Sequence, residues 1–201
     1  MKQLVMVAGP YGVGKIYHMR QSPGFQVARG TLLDPQEIHD GLLDYYEEEQ
    51  IIEGPSPGFL NRTEEKTFSS RFRLVRKGRD LTVVCSLGRI EDLDLIDAAK
   101  SNGYHISLYY YGLKDWKLCR KKIRSDKYHW LHQEKDEFIY DHYFRSSAML
   151  PGAIRMVDHG RIFDVSRKDV PTPLLDIDHG RVNLIEKKPP NWIVEPLTRC
   201  L

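Results

Sequence analysis

Leu4-Val5-Met6-Val7-Ala8-Gly9-Pro10-Tyr11-Gly12-Val13-Gly14-Lys15 is an apolar strand that runs directly into a glycine-rich loop ending in a lysine. The loop matches the phosphate-cradling pattern G-x-x-x-x-G-K-[ST] up to its last position. Gly9, Gly12 and Gly14 give the backbone the freedom to turn successive N–H groups towards phosphate oxygens, and Lys15 follows where an ammonium would reach them. Pro10, Tyr11 and Val13 fill the positions between the glycines. The final position carries Ile16, which has no oxygen for Mg²⁺ where the pattern has a hydroxyl. The spacing therefore predicts an anion cradle, made of residues 9–16, whose metal handle is missing.

Outward from this loop, Ile16 to Gln21 reads as a short helix stopped by Ser22-Pro23-Gly24, with its positive end facing the cradle. Phe25 to Ala28 reads as a second strand. Asp34-Pro35-Gln36-Glu37 has the marks of a helix start, with Asp34 as N-cap, Pro35 at the first helical position and Glu37 closing a capping box. Gly54-Pro55-Ser56-Pro57-Gly58 is a loop. A helix from Thr63 to Lys77 has Phe68, Phe72 and Val75 on its inner side. A strand at Leu81–Cys85 follows, then a helix over Ile90–Asn102, a strand over Tyr104–Tyr111 and a helix over Leu113–Ile123. Another helix spans Lys135 to Met149, Pro151 opens a short one, and Arg161–Asp164 reads as the last strand of the main sheet. His179-Gly180, between two short apolar runs, signals a β-hairpin. Strands alternating with amphipathic helices predict an α/β fold with a mainly parallel sheet flanked by helices, and ligands at the carboxyl ends of the strands.

The 201 residues and 41% hydrophobic content suit one domain covering 1–201. Thirty basic and 28 acidic residues leave a net charge of +2, which gives no general attraction to nucleic acid or to an acidic membrane. No stretch has the length of a membrane span. Cys85, Cys119 and Cys200 suggest neither a disulfide framework nor a zinc site, and a reducing cytoplasm suits them. The expectation is a soluble cytoplasmic protein.

Four further features need a reading. Arg120, Lys121, Lys122, Arg124 and Lys127 form either a solvated helix face or a lid that contacts phosphates. Tyr109-Tyr110-Tyr111 is better read as core than as a platform for bases, since alternation along a strand buries at least one ring. His129, His132 and His142 lack the helical spacing of a metal site. Cys85 is expected to be a buried, inert thiol.

Several segments, taken in order, resemble the zeta-toxin family of P-loop kinases: Val7-Ala8-Gly9-Pro10 with Gly12, Gly14 and Lys15; Pro35-Gln36-Glu37-Ile38; Ala99-Lys100 through Gly103-Tyr104; His142-Tyr143-Phe144-Arg145-Ser146; Phe163-Asp164; and Pro190-Asn191-Trp192. The resemblance covers most of the chain. It implies a nucleoside-kinase-like P-loop domain with a helical lid over about 119–149 and a C-terminal hairpin and tail over about 172–201. It implies ATP or GTP as cofactor and a small-molecule acceptor, such as the 3′-hydroxyl of UDP-N-acetylglucosamine in some members. It also assigns Arg124 and Arg145 as lid cations.

The sequence departs from the family where chemistry is done. Gln36 replaces the aspartate that serves as general base, so the base is absent unless Asp34 or Asp40 substitutes, and the capping role already accounts for Asp34. Val84-Cys85-Ser86 replaces a segment that begins with a carboxylate, and His142 replaces an arginine. Together with Ile16 these changes imply a nucleotide-binding protein derived from a small-molecule kinase, with weak or lost catalysis. A working kinase with a rearranged site, or an interaction module with a relic P-loop and a protein partner, are the other readings.

Overall fold

The computed structural model describes residues 1–22, 30–48, 59–167 and 170–198. In chain order these form β1 (Lys2–Ala8), α1 (Lys15–Gln21), β2 (Thr31–Leu33), α2 (Pro35–Glu48), α3 (Phe59–Arg76), β3 (Leu81–Cys85), α4 (Ile90–Ser101), β4 (Tyr104–Gly112), α5 (Trp116–Ser125), α6 (Asp136–Met156), β5 (His159–Asp164), β6 (Thr172–Asp178), β7 (Arg181–Leu184) and α7 (Asn191–Thr198). One sheet runs β2-β3-β1-β4-β5-β6-β7. The first five strands in this order are parallel; β6 pairs antiparallel with β5, and β7 antiparallel with β6. The expected α/β class with a C-terminal hairpin is therefore the observed one.

β1 shows why such a strand reads as a continuous apolar run. Leu4, Met6 and Ala8 enter one core cluster, and Val5 and Val7 enter the other. Period-two alternation with helices on both faces leaves no polar side to the strand. β1 pairs with β3 on one edge and β4 on the other, with Ala8 opposite both Cys85 and Tyr110. The strand order switches direction here, so a crevice opens beyond the carboxyl end of β1, directly at the glycine loop.

Several sequence expectations move. The second strand is Thr31–Leu33; Phe25–Ala28 and the loop at 54–58 lie outside the described residues. α3 begins at Phe59, ahead of Thr63. Its deepest stripe is polar, with Thr63, Glu64, Thr67 and Arg71 buried beside Phe59 and Val75, while Phe68 and Phe72 flank it. α5 starts three residues later than expected because Asp115 caps it, accepting from the Lys117 N–H at 3.0 Å. α6 does not restart at Pro151 but runs through it. Leu150, Pro151, Ala153 and Ile154 are all buried there, and packing outweighs the missing N–H. Tyr110 and Tyr111 are both core, in opposite clusters, their hydroxyls bonded to Ser146 and Ser22 at 3.0 and 2.8 Å. α7 docks the tail, its Trp192 indole N–H donating to Asp164 at 3.1 Å.

Glycine is required at the exit of β1. Gly9 has φ 141°, and a Cβ there would collide with the carbonyl oxygen of Tyr111. Gly9→Ala is expected to cost about 2–5 kcal/mol, strain and overpacking together. At Gly41, within α2, an added Cβ would meet nothing within 4 Å, and Gly41→Ala is expected to add about 0.5–1 kcal/mol. Urea unfolding of the two variants checks both the size and the opposite signs.

Candidate nucleotide-binding and acceptor site

The loop between β1 and α1 closes on left-handed glycines, with φ 75° at Gly12 and 88° at Gly14. Val13 N–H bonds back to Pro10 C=O at 3.3 Å, and Gly12 sits against the Cys119 carbonyl and the Ile123 side chain. The loop is thus held from behind by β4 and from above by α5. Lys15 is buried, its ammonium donating to the carbonyls of Gly9 and Pro10 at 2.9 and 3.1 Å. Burial holds its pKa below the usual lysine range, with Asp34 among the negative groups that oppose the shift.

Two cavities adjoin the loop. One, of about 230 Å³, is lined by Tyr11, Lys15, Ile16, Asp34, Gln36 and His129 among others. Asp34 lies in this lining and also caps α2, accepting from the Gln36 N–H at 3.1 Å. Burial, then the charge of Lys15, pushes the His129 imidazole down to about 4, so it is neutral at physiological pH. The second cavity, of about 560 Å³, begins at Gly14 and runs between α1, α5 and the segment after β5. Leu113, Leu118 and Val165 make its apolar wall; Lys121, Lys122 and Arg167 make it basic.

The basic run divides its work. Lys122 donates to the Val13 carbonyl at 2.9 Å, so the cation that reaches the glycine loop from α5 is this lysine. Arg120 and Arg124 both pair with Asp136, and Arg124 also donates to the carbonyls of His132 and Glu134. Arg124 braces α5 against the segment that leads into α6. Arg145 lies on the exposed side of α6, paired with Asp141 at 2.7 Å. Neither arginine lines the two cavities.

On the other side of the loop lies a polar cluster that sequence reasoning missed. Arg71 and Asp92 are fully buried and paired at 3.2 Å, and Arg71 also donates to the Val84 carbonyl at 2.6 Å. Glu64 pairs with Arg89, which also meets Glu91 at 3.5 Å. Both guanidinium groups lie over the Phe68 ring, at 5.1 and 5.3 Å. Burial raises the carboxyl pKa of Asp92 and of Glu64 against the pull of these arginines. The signal was available in α3, where Glu64 and Arg71 lie one helical turn before and after Phe68, within the inward stripe. Buried charges on an apolar face demand partners.

Tyr11 fills the space between this cluster and the loop. Its ring packs against Trp130, Phe138 and His142 at centroid distances of 5.4, 6.1 and 5.0 Å. Burial raises the pKa of its hydroxyl, and Ser86 is a nearby group that opposes the shift. What remains is a cavity of about 20 Å³ bounded by Tyr11, Glu64, Arg71, Ser86, Asp92 and Trp130, room for one water. Glu64 Oε1, Arg71 Nε and His142 Nδ1 are buried around Tyr11 without a hydrogen-bond partner among the described residues. Burial pushes His142 down to about 4.

The remaining candidates are structural. His132 Nδ1 faces the carbonyls of Ile123 and Asp126, remote in role from His142, and no metal cluster forms from His129, His132 and His142 among the described residues. Cys85 is buried beside the loop and its thiol is pushed up to about 12 by burial, as is Cys119, which fits an unreactive role. No described helix is long and apolar enough to cross a membrane.

No protein-family model and no curated protein matches the sequence. Solved structures do. A chain of the PezAT chromosomal toxin–antitoxin system of Streptococcus pneumoniae superposes with a TM-score of 0.59 at 16% identity, over 100% of this chain and 84% of that one. A chain of the native AvrRxo1-ORF1:ORF2 complex gives a TM-score of 0.64 at 12% identity over 100% of this chain, and the same complex with ATP gives 0.62. The chain spans only 63% of the AvrRxo1 chain. Identities this low speak for the fold alone. The chain shares its α/β fold, a mainly parallel sheet flanked by helices, with these chains.

Proposed function

We propose that the chain binds ATP or GTP and descends from a small-molecule phosphotransferase whose catalysis is weak or lost. It is read as one kinase-like domain covering 1–201. The observation that carries the reading is the glycine nest with two lysines: Gly9, Gly12 and Gly14 in conformations open to an anion, with Lys15 and Lys122 held at its carbonyls. Residues 9–16 would hold the nucleotide, the glycines and Lys15 at its phosphates, and the wall of Leu113, Leu118 and Val165 suits a base. A bound triphosphate would supply the transferable phosphoryl group.

The donor set does not suit Mg²⁺ in the same way. Ile16 lines the cavity at Lys15 with no oxygen, the Asp34 carboxylate is engaged at the start of α2, and Glu64 and Asp92 are each paired with arginine. Asp34 is the base candidate that faces Lys15, and Arg124 and Arg145 are read as lid-stabilising cations. With Tyr11 in the acceptor space as well, binding without efficient transfer is the simplest outcome. A protein partner belongs to the same reading, since the structural neighbours come from a toxin–antitoxin system and from a two-protein complex.

Calorimetric titration with ATP and GTP, with and without Mg²⁺, tests it. Lys15→Met is expected to weaken binding by roughly 10–100-fold, the loss of one or two charge-assisted contacts, while Arg145→Ala stays within about twofold. Equal binding by native protein and Lys15→Met would sink the proposal.

A further inference from the structure

At the end of the sheet remote from the glycine loop, β5 starts at His159, directly opposite Asp178 at the end of β6, and His179 opens the turn into β7. We propose that His159, Asp178 and His179 bind a borderline divalent transition metal, with zinc the best fit. The ligand set is already gathered. His159 Nδ1 and His179 Nδ1 lie 3.1 and 2.8 Å from the same Asp178 oxygen, and the three donor atoms fall within 4.8 Å of one another. Zinc bonds of about 2.0–2.2 Å at near-tetrahedral angles put neighbouring donors roughly 3–3.5 Å apart. The two measured separations are close to that edge, so small adjustments bring all three onto one ion.

The backbone adds a second observation. His179 takes φ 48°, a left-handed conformation in a two-residue hairpin turn, where asparagine, aspartate or glycine is usual. Its N–H is anchored to the Asp158 carbonyl at 2.6 Å, which aims the imidazole back over Asp178. The His159 and His179 rings meet edge to face with centroids 5.0 Å apart. Asp178 supplies the one carboxylate, its oxygen shared by both imidazoles. His105 is tilted against His159 with ring centroids 5.0 Å apart, and its Nδ1 lies 3.5 Å from Asp158, in a supporting rather than a ligating place.

Two imidazoles and one carboxylate favour zinc, nickel, cobalt or copper over magnesium or calcium, which prefer oxygen alone. Three protein ligands on an exposed turn leave a fourth position for water. The ion would tie the start of β5 to the β6–β7 hairpin, acting on stability and independently of the glycine loop.

The test uses the full chain stripped with chelator and then titrated with zinc chloride. One equivalent is expected to bind, and at a hundredfold excess over Kd the unfolding midpoint is expected to rise by roughly 5–10 °C. His159→Gln, Asp178→Asn and His179→Asn are each expected to weaken binding at least tenfold; the last keeps a residue that tolerates the left-handed turn. His132→Gln is expected to leave it unchanged. Cobalt on the native chain reads the site without any substitution, through the intense visible bands of a tetrahedral ion. Absence of saturable zinc binding, or binding that survives the three substitutions, overturns the proposal, and nucleotide titration is unaffected by either result.

Discussion

Arg71→Met is expected to destabilise the chain by about 3–5 kcal/mol at pH 7, because it leaves Asp92 charged and buried without its partner. Arg71 also holds the Val84 carbonyl at 2.6 Å, next to the segment that leads into the site. The effect should depend on pH in a defined direction. Burial raises the Asp92 pKa in the folded state, and Arg71 is the largest opposing influence. Without Arg71 the folded carboxyl holds its proton well above the unfolded value of about 3.9. The folded state then binds more protons than the unfolded state, so stability falls as pH rises through that interval and returns on acidification. Urea unfolding should therefore show a smaller gap between variant and native protein at pH 5 than at pH 7. Arg71→Met with Asp92→Leu should recover much of the loss, since no charge is then left buried. A gap that ignores pH would mean that lost packing on Phe68 dominates.

Ile16→Ser is expected to give the site a metal dependence that the native chain lacks. In the native protein, removal of Mg²⁺ should leave ATP affinity within about twofold, because Lys15 and the loop N–H groups need no metal. A hydroxyl at position 16 should let Mg²⁺ tighten ATP binding by about tenfold, close to 1.4 kcal/mol. Calorimetry with and without chelator reads both. Transfer should still be poor in this variant, since Tyr11 packs against Trp130, Phe138 and His142 and leaves about 20 Å³ beside Glu64 and Arg71. Tyr11→Ala in the Ile16→Ser background opens that space, and measurable Mg²⁺-dependent ATP turnover is expected only in the double variant. A native chain that already requires Mg²⁺ for ATP binding would contradict this account and favour a working kinase.

Local chemistry was enough to write much of this protein from its sequence. The run Leu4–Ala8 followed by three glycines and Lys15 determined a buried strand, a left-handed loop and the α/β class, since few backbone paths suit those residues. Asp34 was legible as a cap and His179-Gly180 as a hairpin turn for the same reason: each is decided by neighbours in sequence.

Tertiary structure decided which charges meet. Nothing local tells Lys122 from Arg124, yet the pitch of α5 sends one to the Val13 carbonyl and the other to Asp136. Nothing local places Tyr11 between Ser86 and Trp130, or pairs Arg71 with Asp92 across 21 residues. The histidines gathered at Asp178 likewise come from two strands and a turn brought together by antiparallel register. Loop conformation follows from the freedom of each residue, whereas the partner of a buried charge follows from which elements the core packs side by side.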